Sequence, residues 1–216
     1  AEVGHLYPAD EKGNKPVAYY WARTATCSNP SCRAEVPLLK QFYLANTKSK
    51  KVYLNPIING TDIQFEIKHG KYDEKNLPGW NNRCVLTCPC CGSVTTTEQL
   101  KGQFKAKKTR ERLLAVITES PIGKDYRLPN RAEFESLEYV PKNQERPTER
   151  MEVGNNRNFN TPGWGIELYG EMFSERQIFF LNNLVRQIKL LSIQRNTSYD
   201  KALATLLAIL VDRIAI

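Results

Sequence analysis

The sequence predicts an α+β fold, and three observations point to it. Two short cysteine pairs, Cys27-Ser-Asn-Pro-Ser-Cys32 and Cys88-Pro-Cys-Cys-Gly92, each set two thiols on a tight turn. Before and between them run stretches of β-prone and aromatic residues bounded by Asn, Gly and Pro. The last third carries apolar residues at helical spacing behind two capping sequences. Together these predict a zinc ribbon with an antiparallel β-rich part, followed by a C-terminal helical hairpin. The expected organisation is a zinc-ribbon β-rich region over 1–140, a connector over 141–163 and a helical region over 164–216.

The elements follow in order. Val17–Thr26 reads as a strand entering the first cysteine pair, and Val36–Leu44 is an apolar run leaving it. Thr47–Lys51 is a polar turn, and Lys51–Ile58 a second strand. Asn59-Gly60 is a hairpin signal joining it to Asp62–Lys68, where Ile63, Phe65 and Ile67 alternate with polar residues. Residues 69–82, with Gly70, Pro78 and Gly79, are a loop, and Cys84 is placed as a strand residue. Leu113–Ile117 is a short apolar strand. Asn130 and Glu133 form a capping pattern for a short helix expected to bury Phe134 and Leu137. Residues 141–163 hold three prolines and many polar residues, as a connector does. Ser174-Glu-Arg-Gln177 is a capping box, with Phe173 stapled against Ile178, and Leu181, Val185, Ile188 and Leu191 continue one face. Thr197 and Asp200 cap the next helix, lined by Leu203, Leu206, Leu207, Leu210 and Ile214. Faces this apolar either pack on the β-rich part or await another surface.

The cysteine spacing carries the chemistry. Cys27, Cys32, Cys88 and Cys91 supply the four thiolates of a tetrahedral Zn2+ site. Pro89 stiffens the second turn, and Gly92 permits the positive φ at which such a knuckle leaves its second ligand. The 55 residues between Cys32 and Cys88 exceed a zinc finger's spacing, so a β-rich insertion is expected between the knuckles. Disulfides and a thioredoxin-like redox pair are the alternative readings. Three cysteines crowded between 88 and 91 disfavour the first, and a redox pair needs no matching pair elsewhere. No secretory signal and no apolar segment of membrane-spanning length is seen, so the expected setting is the reducing cytoplasm, away from membranes. Cys84 and Cys90 are left outside the ligand set. A site closed by four cysteines has no open position for metal catalysis.

The chain has 216 residues, enough to bury a sizeable core, and 41% of them are hydrophobic, which excludes a disordered polymer. Its formal charge is +8, which four thiolates around a dication would lower to about +6. Basicity permits a polyanionic partner. The best candidate for contacting it is Lys101, Lys105, Lys107, Lys108, Arg110 and Arg112, opposed in that stretch only by Glu111. Such cations position DNA through its phosphates and do not read its sequence. A solvated charged loop is the plain alternative. Trp21 and Arg23 share one strand face, where the guanidinium can stack on the indole, either as a base-stacking platform or as packing over the metal site. His5 and His69 are the only histidines, and neither stands in a nucleophile pattern. Ala at position 1 and an uncapped apolar end over 206–216 read as an excised piece of a larger protein.

Several motifs, in order along nearly the whole chain, resemble the zinc-ribbon-containing predicted adenine-specific DNA methylases of bacteria and archaea. They are Leu6-Tyr-Pro8, Tyr20-Trp-Ala-Arg-Thr24, Cys27–Cys32 with Val36-Pro-Leu-Leu39, Cys88–Gly92, Arg112–Val116, Tyr126-Arg-Leu-Pro129, Tyr169-Gly170 and Phe173–Gln177. The resemblance implies a region inserted between the cofactor-binding motifs and the catalytic Asp-Pro-Pro-Tyr motif of a larger methylase. It implies DNA and the remainder of that enzyme as partners, with S-adenosylmethionine bound only by the parent. One departure is Arg33, where the family tends to have Gly. The chain itself contains neither the catalytic tetrapeptide nor a Gly-rich strand-to-helix turn for the cofactor, so no catalytic or cofactor-binding residue is assigned. A purely structural or protein-interaction insert is the alternative function.

Overall fold

The computed structural model describes residues 3–121, 123–154, 160–195 and 197–215. Residues 155–159 of the expected connector lie outside these. The fold is mixed α/β, with antiparallel sheets and, among the described residues, four α-helices, the last two closing the chain. It divides into two compact units. The larger holds Ala9–Asn130 and Glu152–Ile166; the other holds Ala1–Pro8, Arg131–Met151 and Glu167–Ile216.

The larger unit is built from β1 (Pro16–Thr26), β2 (Glu35–Pro37), β3 (Tyr43–Asn46), β4 (Lys51–Asn59), β5 (Asp62–His69), β6 (Asn81–Asn82), β7 (Val85–Thr87), β8 (Val94–Thr95), α1 (Thr97–Lys105), β9 (Arg110–Ser120) and β10 (Gly123–Arg127). Three sheets form, ordered β10-β9-β1-β2, β3-β4-β5 and β6-β7-β8. The Asn59-Gly60 signal makes the tight β4–β5 hairpin, with Asn59 opposite Asp62 and Gly60 at φ +62°. Ile63 and Phe65 are buried, as their alternation requires. Pairing lengthens the expected Leu113–Ile117 strand: Thr24 sits opposite Arg110 and Trp21 opposite Leu113, so β1 draws the basic residues into β9. The core gathers Phe42, Leu54, Ile63, Leu86, Leu100 and Ala115 from the three sheets and α1. Trp80 meets Phe42 edge-on at 5.1 Å within it. Cys27 and Cys88 belong to the same buried cluster.

Cys84 is not in a strand. It sits with Arg83 in the two-residue turn joining β6 to β7, at φ +63° and +48° respectively. A two-residue hairpin needs positive φ at both positions, and this requirement overrides β propensity.

The second unit holds α2 (Arg131–Glu138), α3 (Glu175–Arg195) and α4 (Ser198–Ala215). In α2 the buried face differs from expectation. Glu133 and Ser136 are buried, Leu137 only half so, and Phe134 is 49% exposed. The helix packs on the short turn Gly4–Leu6, and Ser136 Oγ donates to the Glu133 carbonyl at 2.8 Å. Arg176, also buried, donates to the Leu6 carbonyl at 3.2 Å and lies 4.8 Å from the Tyr7 ring centroid. At the start of α3 the capping box forms: the Ser174 amide donates to Gln177 Oε1 at 2.9 Å, and the Gln177 amide to Ser174 Oγ at 3.3 Å. The Asp200 amide donates to Thr197 Oγ1 at 3.2 Å before α4. The two helices pack on each other, yet Val185, Leu206, Ile209, Leu210 and Ile214 remain exposed. No helix among the described residues is long and apolar enough to cross a membrane.

Candidate metal centre

Two knuckles of one design form the site. β1 delivers Cys27, whose amide donates to the Ala34 carbonyl at 2.9 Å and closes the first loop. Cys88 follows β7, and its amide donates to the Ser93 carbonyl at 2.9 Å, closing the second. Each loop turns at a residue of positive φ directly after its second cysteine: Arg33 at +52° and Gly92 at +73°. Arg33 therefore occupies the backbone conformation that Gly92 takes freely, at a cost of about 1–2 kcal/mol. The two extra residues of the first loop are absorbed around Asn29, whose Oδ1 accepts from the Ser31 amide at 3.0 Å and whose carbonyl accepts from Cys32 and Arg33.

The knuckles face each other. Cys27 Sγ lies 3.6 Å from Cys91 Sγ, and Cys32 Sγ 3.8 Å from Cys88 Sγ. All four sulfurs lie within 4.8 Å of one another. Thiolates held about 2.3 Å from a central ion at tetrahedral corners are separated by about 3.8 Å, so the spacing fits a metal. A disulfide needs about 2.05 Å, and all six cysteines are free. Cys84 and Cys90 stand outside this cluster.

The electrostatics also demand a cation. Burial pushes the Cys27 thiol up to about 12, reinforced by the neighbouring sulfurs of Cys91 and Cys88 and countered by the Asn29 amide. For Cys32 the Ala34 amide is the largest influence and lowers the value, but burial with the thiols of Cys91 and Cys88 leaves it raised. Hydrogen bonds from the hydroxyl and then the amide of Ser93 bring Cys91 down to about 6. Cys90 is pushed up to about 11, first by burial and then by Cys88. The pocket thus tolerates one thiolate, whereas four adjacent thiolates require a metal dication among them. Amides two residues beyond Cys27, Cys32 and Cys91 point hydrogen bonds at their sulfurs. Asn29 Nδ2 lies 3.8 Å from Cys91 Sγ and donates to Ser93 Oγ at 3.3 Å, a polar outer layer of the kind that orients ligands.

Several supporting groups escape a linear reading. Gln103 of α1 clasps the end of β1, accepting from the Thr26 amide and donating to its carbonyl, both at 2.8 Å. Thr95 Oγ1 accepts from the Ser28 amide at 3.1 Å, and Ser28 Oγ donates to the Val94 carbonyl at 3.2 Å. These bonds tie the first knuckle to β8 and α1. Nothing in the local sequence marks them, because each joins residues more than sixty apart.

The basic stretch is spread over α1, a turn and β9. Lys101 is half-buried with Nζ 5.6 Å from the Trp164 ring centroid. Lys107, at φ +52°, donates to the Gly165 carbonyl at 2.7 Å. Arg110 lies 3.6 Å from Glu35, and Arg112 lies 5.6 Å from the Phe65 ring centroid. Lys105 and Lys108 are exposed. Arg23 reaches over Phe104 at 5.8 Å, not over Trp21, and pairs with Glu111 at 3.8 Å. His69 ends β5, and neither histidine belongs to the thiol cluster. No protein-family model, curated protein or solved structure matches this chain.

Proposed function

We propose that Cys27, Cys32, Cys88 and Cys91 bind one structural Zn2+. The chain is then the zinc-ribbon region of a larger adenine-specific DNA methyltransferase, contacting DNA but catalysing nothing itself. The observation that carries the metal reading is the cross-knuckle spacing of 3.6 and 3.8 Å in a set of four free thiols. Tetrahedral sulfur coordination favours zinc or iron, and zinc is the usual ion of a closed four-cysteine structural site. The methyltransferase reading rests on the motif resemblance, and the DNA contact on the +8 charge with the basic residues beside the second knuckle. S-adenosylmethionine and the catalytic tetrapeptide belong to the rest of the parent enzyme in this reading.

A second reading, a structural insert, is favoured by one observation. Lys101, Lys107, Arg110 and Arg112 each meet a group of the larger unit. Duplex binding decides between the two. Metal analysis is expected to return one zinc per chain in protein purified without chelator. Log affinity for duplex DNA should fall with log salt by roughly 0.9 per phosphate neutralised. Replacing Lys105, Lys107, Lys108 and Arg110 with Ala should reduce both affinity and slope while zinc content holds. Equal duplex binding by that variant and the unaltered chain would establish the structural insert instead.

A further inference from the structure

A cavity of about 670 Å3 opens in the larger unit, away from the four sulfurs. Its size lies in the range of small-ligand sites. Trp21, Phe104 and Trp164 bring aromatic surface to it, and Arg23 and Lys40 bring cations. No Asp or Glu lines it. Trp21 stays 37% exposed, although a large indole is ordinarily buried wherever a core can take it. Trp164 is held in place on purpose-built geometry. It meets Phe104 edge-on at 5.3 Å, and the next residue, Gly165, has φ +79°. A Cβ on Gly165 would come within 2.9 Å of the Lys105 Cα, so only glycine lets this segment lie so close to α1.

Asn81 also lines the cavity. Its Oδ1 is shut off from solvent and has no hydrogen-bond donor among the described residues. An orphaned amide acceptor is a cost to the fold unless a donor is brought to it. Aromatic faces, two cations, an absence of carboxylates and an amide in want of an N–H donor make one chemical description. The complementary ligand is flat, anionic and carries an amino group on its edge.

We propose that this cavity binds one unpaired adenine nucleotide. The base stacks on the exposed indole surface, its amino edge meets the Asn81 amide, and its phosphate is met by Arg23 and Lys40. Asn pairs with adenine through just this donor and acceptor combination, and stacking on aromatic side chains is how single strands are held. A duplex cannot supply the ligand, since its bases are stacked and paired. The proposal therefore goes beyond phosphate contact by the basic stretch and stands independently of it.

Tryptophan fluorescence tests it on the metal-loaded full chain, because two of the three tryptophans line the cavity and the third, Trp80, is buried. The probes are dAMP, a short oligodeoxyadenylate, the matching oligothymidylate and a duplex of the same length. Saturable quenching by dAMP marks a free-nucleotide site. Quenching by oligodeoxyadenylate alone marks a single-stranded nucleic-acid contact. Either result supports the proposal. Trp21→Ala should weaken binding roughly tenfold or more. Asn81→Leu should also weaken it and erase the preference for adenine over thymine. It should leave the melting temperature unchanged or raised, because it removes an unsatisfied polar group. That combination is one that a merely structural Asn81 does not produce. Absence of saturable quenching in folded, metal-loaded protein overturns the proposal. So does equal binding by parent and both variants, or a preference for duplex over single strand. The alanine variant of the basic stretch probes duplex contact separately, so failure there leaves this cavity's test intact.

Discussion

Residue identity matters most at the knuckles. Cys27 and Cys88 are both ligand and core, so substituting either removes a sulfur and opens a buried gap. Cys27→Ser is expected to abolish stoichiometric metal binding and to disorder the larger unit, as metal analysis and near-ultraviolet circular dichroism will show. Protonation works in the same direction. Cys27, near 12, and Cys32, raised above its ordinary value, hold their protons at neutral pH, so metal binding must expel both. Affinity therefore falls as pH falls, by about two orders of magnitude per unit if these two protons alone are released. Competition titrations with a chromophoric chelator at successive pH values measure that slope. Arg33 is the conformational counterpart of Gly92. Arg33→Gly relieves left-handed strain but adds freedom to the unfolded chain, so a net gain of only about 0.5–1 kcal/mol is expected in denaturant melts. The left-handed residue was legible at Gly92 from composition, whereas at Arg33 and Cys84 only the turn geometry revealed it.

Among elements, α1 is the hinge between the metal and the rest of its unit. Thr96 and Gln99 cap it reciprocally, with the Thr96 amide donating to Gln99 Oε1 at 2.9 Å and the Gln99 amide to Thr96 Oγ1 at 3.3 Å. One turn later Gln103 grips both polar groups of Thr26. Gln103→Ala leaves a part-buried amide and carbonyl without partners, a loss of about 1–3 kcal/mol. Because Thr26 immediately precedes Cys27, the same variant should also bind metal more weakly, which a chelator competition will register. The strands β1, β4, β5 and β9 follow from alternation and turn residues in the sequence. The face of α2 does not: Phe134 and Leu137 carry the apolar pattern, yet Glu133 and Ser136 are the residues buried. Periodicity predicts which residues share a face, and the neighbour that packs there selects which face is covered.

On the scale of the molecule, the metal centre and the core of the larger unit are one structure, since the same buried cluster contains Cys27, Cys88, Trp80 and Leu100. Chelation should therefore melt that unit, with loss of sheet and Trp80 signals, while the helical signal of α3 and α4 persists. Simultaneous loss of both would refute this division. Taken alone, the sequence determined what is encoded locally: cysteine spacing, strand alternation, the Asn59-Gly60 turn and the two helix caps at Ser174 and Thr197. Each depends on residues a few positions apart, and the free energy of the local turn or helix favours it wherever the segment lies. Tertiary structure alone decided what joins distant segments. It brought Cys27 to Cys91, Gln103 to Thr26 and Trp164 to Phe104, and it grouped Ala1–Pro8 with Arg131–Met151 and Glu167–Ile216. Those pairings depend on which surfaces exclude water together, and no spacing along the chain records that choice.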